Sequence, residues 1–118
     1  MSSGIVFRGV DYDCTNGMAE YLLDLCIQEF SEIEEYEEYP HVLEFFSDYR
    51  EMFFGGLIIF LNEEDFEKKS DYIFLSKLFA RVFDFAESNE SELTDIGKAK
   101  VSSSFRNLVE ELKKYGAS

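Results

Sequence analysis

Tryptophan is absent, proline and histidine occur once each, as Pro40 and His41, and cysteine occurs twice. Each scarcity excludes a class of chemistry. A lone His41 cannot furnish the two Glu-x-x-His pairs of a di-iron carboxylate bundle. With neither cysteine in a recognisable nucleophile setting, it builds no catalytic triad either. Beside Pro40 it reads as an exposed residue of a helix's first turn. Cys14 and Cys26 lack metal-ligand spacing. Cys26 sits in a helical apolar pattern and reads as a buried thiol, with a Cys14–Cys26 disulfide as the alternative. There is no Gly-rich phosphate loop, since Gly55-Gly56 has no G-x-x-x-x-G-K-[ST] context. Asp11 to Gly17 resembles the opening of a calcium loop, but Gly17 falls one position late and Leu22 stands where the closing glutamate belongs. No metal, cofactor or enzymatic site is therefore expected. No apolar run reaches the about 18 residues that span a membrane, and MSSGIVFRGVDYD lacks the charged and apolar regions of a secretion signal. The expected compartment is the cytoplasm.

Basic residues are scarce where acids are dense. Residues 1–48 carry twelve Asp and Glu against the single Arg8, and residues 49–118 carry thirteen against ten bases. The formal charge of −14 is thus mostly N-terminal. Acidic chains are often disordered for want of apolar content, but here 46% of residues are hydrophobic and 17% aromatic, enough for a core. A single folded domain over 1–118 is expected. Its charge would repel phosphates, which argues against nucleic acid or an anionic membrane as direct ligand. Concentrated like charge also destabilises the compact state, and a basic protein partner is the simplest compensation.

Apolar spacing predicts mostly helix. Residues 4–10, GIVFRGV, form a short strand or extended arm, and Thr15-Asn16-Gly17 marks a turn and helix start. From Met18 to Tyr39, Met18, Leu22, Cys26, Phe30 and Ile33 recur at helical steps. Pro40 opens a second helix to about residue 54, with Val42, Phe45, Phe46, Tyr49, Met52 and Phe53 inward. Gly55-Gly56 breaks the chain. Residues 57–61, LIIFL, fit either strand or helix, and helix is favoured. Asn62 with Asp65 suggests a capped start to a short segment at 63–69. Leu75, Leu78, Phe79, Val82, Phe85 and Ala86 define a helix over 71–88. Val101, Phe105, Leu108, Leu112 and Tyr115 define another within 98–115, stopped by Gly116. The expected fold is mainly α, an antiparallel bundle of four to five helices with a short N-terminal extended segment.

The candidate site is the run Glu32, Glu34, Glu35, Tyr36, Glu37, Glu38 and Tyr39. On a continuous helix, Glu34 with Glu38 and Glu20 with Asp24 would form carboxylate rows. Such rows imitate a nucleic-acid backbone, since Arg and Lys bind carboxylate and phosphate through the same charge-assisted bonds. The two tyrosines add anchors common at interfaces. Glu63, Glu64, Asp65 and Glu67 form an alternative acidic face.

The stretch Phe74-Leu75-Ser76-Lys77-Leu78-Phe79-Ala80-Arg81-Val82-Phe83-Asp84-Phe85-Ala86 is followed by an acidic loop and a closing helix ending Val109-Glu110-Glu111-Leu112-Lys113-Lys114. With Phe45-Phe46-Ser47-Asp48-Tyr49 and the segment 62–69, it resembles the immunity proteins of colicin-type and contact-dependent growth inhibition systems over about residues 42–115. That resemblance implies a helical bundle that neutralises a cognate basic nuclease toxin, an RNase or tRNase, as the monomeric inhibitor in a heterodimer. Two other readings stand beside it: a phage-type nucleic-acid mimic directed at a host nuclease, which keeps the acidic contact, and a small helical adaptor or regulatory subunit that docks a partner through its Phe/Tyr-rich surface while the acids only solubilise it.

Overall fold

In the computed structural model, which describes residues 2–118, the chain begins with a hairpin. Strands β1 (Ser2–Phe7) and β2 (Val10–Thr15) pair antiparallel, with Ile5 opposite Tyr12 and Val6 opposite Asp11. The connection is Arg8-Gly9, both with positive φ (48° and 81°), the pair of left-handed residues whose twist suits a two-residue hairpin. Glycine adopts this freely. Arg8 does so against its side chain's preference, and its guanidinium lies over the Tyr115 ring, 4.3 Å from the centroid.

Helix α1 (Asn16–Glu29) is capped by Thr15, whose hydroxyl accepts the Met18 N–H. Helix α2 (Pro40–Glu51) starts on Pro40, where a missing N–H costs nothing. Strand β3 (Ile58–Leu61) then enters parallel to β1, giving the order β2-β1-β3. Helices α3 (Lys69–Glu87), α4 (Asp95–Lys100) and α5 (Arg106–Ala117) follow, and the π-helical segment Val101–Phe105 joins the last two into one rod.

The architecture is α+β, 63% helical and 14% strand, and this corrects the helical bundle expected from periodicity and from the immunity-protein resemblance. Sheet and helices share one core. Ile5, Phe7, Tyr12, Cys14, Ile59 and Leu61 are buried on the inner face of the sheet. Phe7 meets Tyr72 of α3 and Tyr115 of α5, and Tyr12 meets Phe105. On α3, Leu75, Leu78, Phe79, Val82 and Ala86 are buried as expected, joined by Phe74 and Phe83, whereas Phe85 is only half-buried. Residues 57–61 favoured helix, yet Ile58–Leu61 alternates exposed and buried as a strand does. The run is too short for a stable helix, its Ile58-Ile59 pair is β-branched, and β1 supplies the partner. Met52, expected inward, is 57% exposed just past the end of α2.

The helix expected from Met18 to Tyr39 ends at Glu29. Phe30–Glu32 and Tyr36–Glu38 are single 3₁₀ turns separated by an extended Ile33. A continued helix would set Glu34 over Glu38 with no base between, a destabilising like-charge pair. The break instead lets Tyr36 pack edge-on against Phe30 and lets Tyr39 stack on Phe74 at 4.4 Å. The carboxylate row proposed for Glu34 and Glu38 therefore does not form as a helical row.

Both cysteines are buried and free, so the disulfide alternative does not hold. Burial pushes the Cys14 thiol up to about 11 and the Cys26 thiol higher still, keeping both protonated at neutral pH.

Gly4, at the centre of the sheet, tests how tightly the hairpin closes. A Cβ there would lie 2.8 Å from the Tyr12 carbonyl oxygen, a backbone atom that cannot swing aside. Gly4→Ala is expected to lower stability by about 1–3 kcal/mol in urea unfolding, the usual cost of overpacking. An unchanged midpoint would mean that β1 and β2 are less closely apposed.

Candidate functional site

Tertiary pairing divides the acids into those tied within the fold and those left at the surface. Arg50 donates to Asp24 Oδ1 at 2.7 Å and Glu20 Oε1 at 2.8 Å, clamping α1 to α2. From α3, Arg81 reaches Glu29 at 2.8 Å and Lys77 reaches Glu35 at 2.9 Å. The N-terminal region thus receives its counter-charges from elsewhere in the chain. The Glu20/Asp24 row is a helix clamp, and Glu35 is turned toward the body, its Oε1 buried without a hydrogen-bond partner among the described residues.

The hydrogen bond from Lys77 is the main cause holding the Glu35 carboxyl below its ordinary value of 4.5, with burial opposing. A carboxyl lowered in the folded state adds stability above its unfolded pKa and loses it as pH falls through the folded one. Lys77→Met is therefore expected to flatten the acid-side decline of stability, measured by urea unfolding from about pH 6 to about pH 3. Superimposable wild-type and variant profiles would show that the pair contributes nothing.

Glu32, Glu34, Glu37 and Glu38 are exposed and enter no ion pair among the described residues, and the same holds for Glu64, Asp65 and Glu67. Glu63 accepts the Tyr115 hydroxyl at 2.7 Å and stands 3.9 Å from Arg8.

The two acidic segments meet in space. Glu38, Tyr39, Pro40 and His41, at the entry to α2, line one groove together with Glu64, Asp65, Glu67, Lys68, Ser70 and Asp71, at the entry to α3. The groove encloses about 650 Å³. The two acidic segments thus share one recess, the first only through Glu38 and Tyr39. Glu32, Glu34, Glu35, Tyr36, Glu37 and Glu63 do not line it.

Local chemistry shapes each part. Asn62 Oδ1 accepts the N–H groups of Glu64 and Asp65 at 2.9 and 3.0 Å, and its amide donates to Asp65 Oδ2 at 2.8 Å. This closes a single turn rather than the helical start expected at 63–69, and α3 begins only at Lys69. Phe66, fully buried, anchors the segment between Phe45 and Tyr72, at 4.7 and 6.2 Å. The Tyr72 hydroxyl donates to the Phe66 carbonyl at 2.7 Å.

Beneath the groove, Asp71 is almost wholly buried, with 4% of its side chain exposed. One oxygen accepts the Lys68 N–H at 3.1 Å and the other bonds His41 Nε2 at 2.8 Å. Sequence reasoning missed this pair. Its visible signal was an acid in the first turn of a strongly periodic helix, the usual place for a residue that caps it. His41 is exposed in the first turn of α2, as expected, and its ring in addition ties α2 to α3.

The recess offers carboxylate oxygens and the Tyr39 ring, and among the described residues Lys68 and His41 are its only potential cations. It suits a guanidinium or ammonium rather than an anion. Fold and groove define the class, a small acidic α+β domain with a carboxylate-lined recess. No family model matches the chain, and no curated protein or solved structure matches it significantly. Among the described residues no helix is long and apolar enough to cross a membrane.

Proposed function

We propose that the protein is an immunity-type inhibitor. It binds a cognate basic nuclease domain, an RNase or tRNase, and covers the surface that receives nucleic acid. The observation that carries this reading is the groove in which Glu38 joins Glu64, Asp65 and Glu67 beside Tyr39. A cleft built for phosphates presents Arg and Lys, and those side chains pair equally well with carboxylates. The net charge of −14 would steer the encounter. Desolvated pairs around Tyr39 would then set the lifetime of the complex. Complex formation would also relieve the self-repulsion that the free protein carries.

Growth provides the test. The reading frame preceding the gene should encode a basic domain that is toxic when expressed alone, and co-expression of this protein should restore growth. Persistent toxicity with both proteins soluble would refute the proposal. The adaptor reading draws support from the exposed Met52, Phe54 and Phe60, and it predicts no rescue. A phage-type mimic would instead lack a toxin gene as neighbour.

A further inference from the structure

The inner face of the sheet is buried against helices, but the outer face is not. Register gives that face two rows across the strands: Ile58, Gly4 and Asp13 in one, Phe60, Val6 and Asp11 in the other. Ile58 and Phe60 are 37% and 51% exposed. Asp11 and Asp13 are exposed and enter no ion pair among the described residues. The face is therefore apolar and exposed along β3, low along β1, where Gly4 is buried without a side chain and Val6 is half-buried, and anionic and exposed along β2. Strands lie about 4.8 Å apart, which sets the two margins about 10 Å from each other, close to the diameter of a helix. Parallel strand pairs are ordinarily covered on both faces, and β1–β3 is covered on one. Phe54, 91% exposed, lies in the segment leading into β3.

We infer that this face is a docking site for an amphipathic helix of another protein, whose apolar row seats on Ile58 and Phe60 and whose Lys/Arg row meets Asp11 and Asp13. A second copy of the chain fits poorly. A two-fold contact is self-complementary, and it would bring two molecules of charge −14 together with a pair of bare carboxylates on each face. The site shares no residue with the acidic groove and does not depend on the nuclease reading.

A synthetic Leu/Lys helix of about 18 residues, leucines on one face and fluorescein at one end, is the probe. A scrambled peptide of equal composition is the control, in about 0.15 M salt. Nuclear magnetic resonance mapping on the wild-type protein should place the shift changes at Val6, Asp11, Asp13, Ile58 and Phe60. By fluorescence anisotropy, Ile58→Thr with Phe60→Thr should weaken binding about tenfold or more. Asp11→Asn with Asp13→Asn should weaken it about fivefold and reduce its salt dependence. Glu64→Gln with Glu67→Gln, in the groove, should leave it within about twofold. Shift changes centred on Glu38, Glu64 and Glu67, equal binding of the scrambled peptide, or a wild-type dimer dissolved by Phe60→Thr would each overturn the inference. The wild-type map decides even if a variant fails to fold, and loss of nuclease inhibition in groove variants bears only on the other surface.

Discussion

Truncating Phe66 to alanine is expected to cost about 3–5 kcal/mol, the range for removing a buried phenylalanine. At this chain length the melting temperature should fall by roughly 10 °C or more. The reason is the local poverty of other restraints. Between β3 and α3 the chain makes no helix, only the turn closed by Asn62. Phe66 is the one wholly buried side chain of that segment, wedged between Phe45 and Tyr72. Removing the ring opens a cavity in the core and frees the backbone that carries Glu64, Asp65 and Glu67. Tyr72→Phe is the finer probe. It keeps the packing but leaves the buried Phe66 carbonyl without its donor, at about 1–3 kcal/mol. Urea unfolding of the wild type and both variants measures this directly. A Phe66→Ala loss no larger than that of a surface substitution, about 0.5 kcal/mol, would show that the groove wall is not anchored this way.

The helices were legible wherever one apolar face repeats over several turns. Helices α2 and α3 lie close to where Phe45 and Leu78 and their neighbours place them, because burial and the 3.6 period agree there. The last helix, expected within 98–115, is instead the end of α4, a π-helical turn and α5, and it runs through Gly116 rather than stopping there. The strands were less visible. In Val10–Thr15 the apolar residues Val10, Tyr12 and Cys14 alternate with Asp11, Asp13 and Thr15. This is a strand signal, masked because the same aspartates are spaced like the opening of a calcium loop. Strand β3 is four residues long and needs β1, more than fifty positions earlier, to become a strand. Nothing local encodes that partner.

The site divides in the same way. Composition exposed Glu38, Glu64, Asp65 and Glu67 as candidates, but as two separate faces. Their union depends on α2 and α3 beginning side by side, and on the His41–Asp71 bond across thirty positions. The charge imbalance between the two parts of the sequence was real, yet Arg50, Lys77 and Arg81 fold back to neutralise Glu20, Asp24, Glu29 and Glu35. Linear charge counts cannot show this, because ion pairs form in space.

That sorting of the acids sets the largest expected effect on binding. If the proposed nuclease domain is the partner, reversing Glu38, Glu64 and Glu67 to lysine together should weaken that complex by about 4 kcal/mol or more, about a thousandfold in Kd. Part of this is long-range, because the net charge moves from −14 to −8. A matched variant with Glu90, Glu92 and Glu110 reversed carries the same net charge on exposed positions away from the groove. It should slow association and leave dissociation nearly unchanged, since distant charges act through steering. The groove variant should also speed dissociation, because desolvated pairs act on the lifetime of a complex. Reversal of Glu32 and Glu34, outside the groove, should resemble the matched control. Stopped-flow association and dissociation rates at two salt concentrations separate these cases. Equal dissociation rates for the groove variant and its matched control would remove the groove as the contact, even if both bound more slowly than the wild type. All of these glutamates are exposed, so reversal relieves self-repulsion and should leave the urea midpoint no lower than that of the wild type. A loss of affinity would then report on contact and not on unfolding.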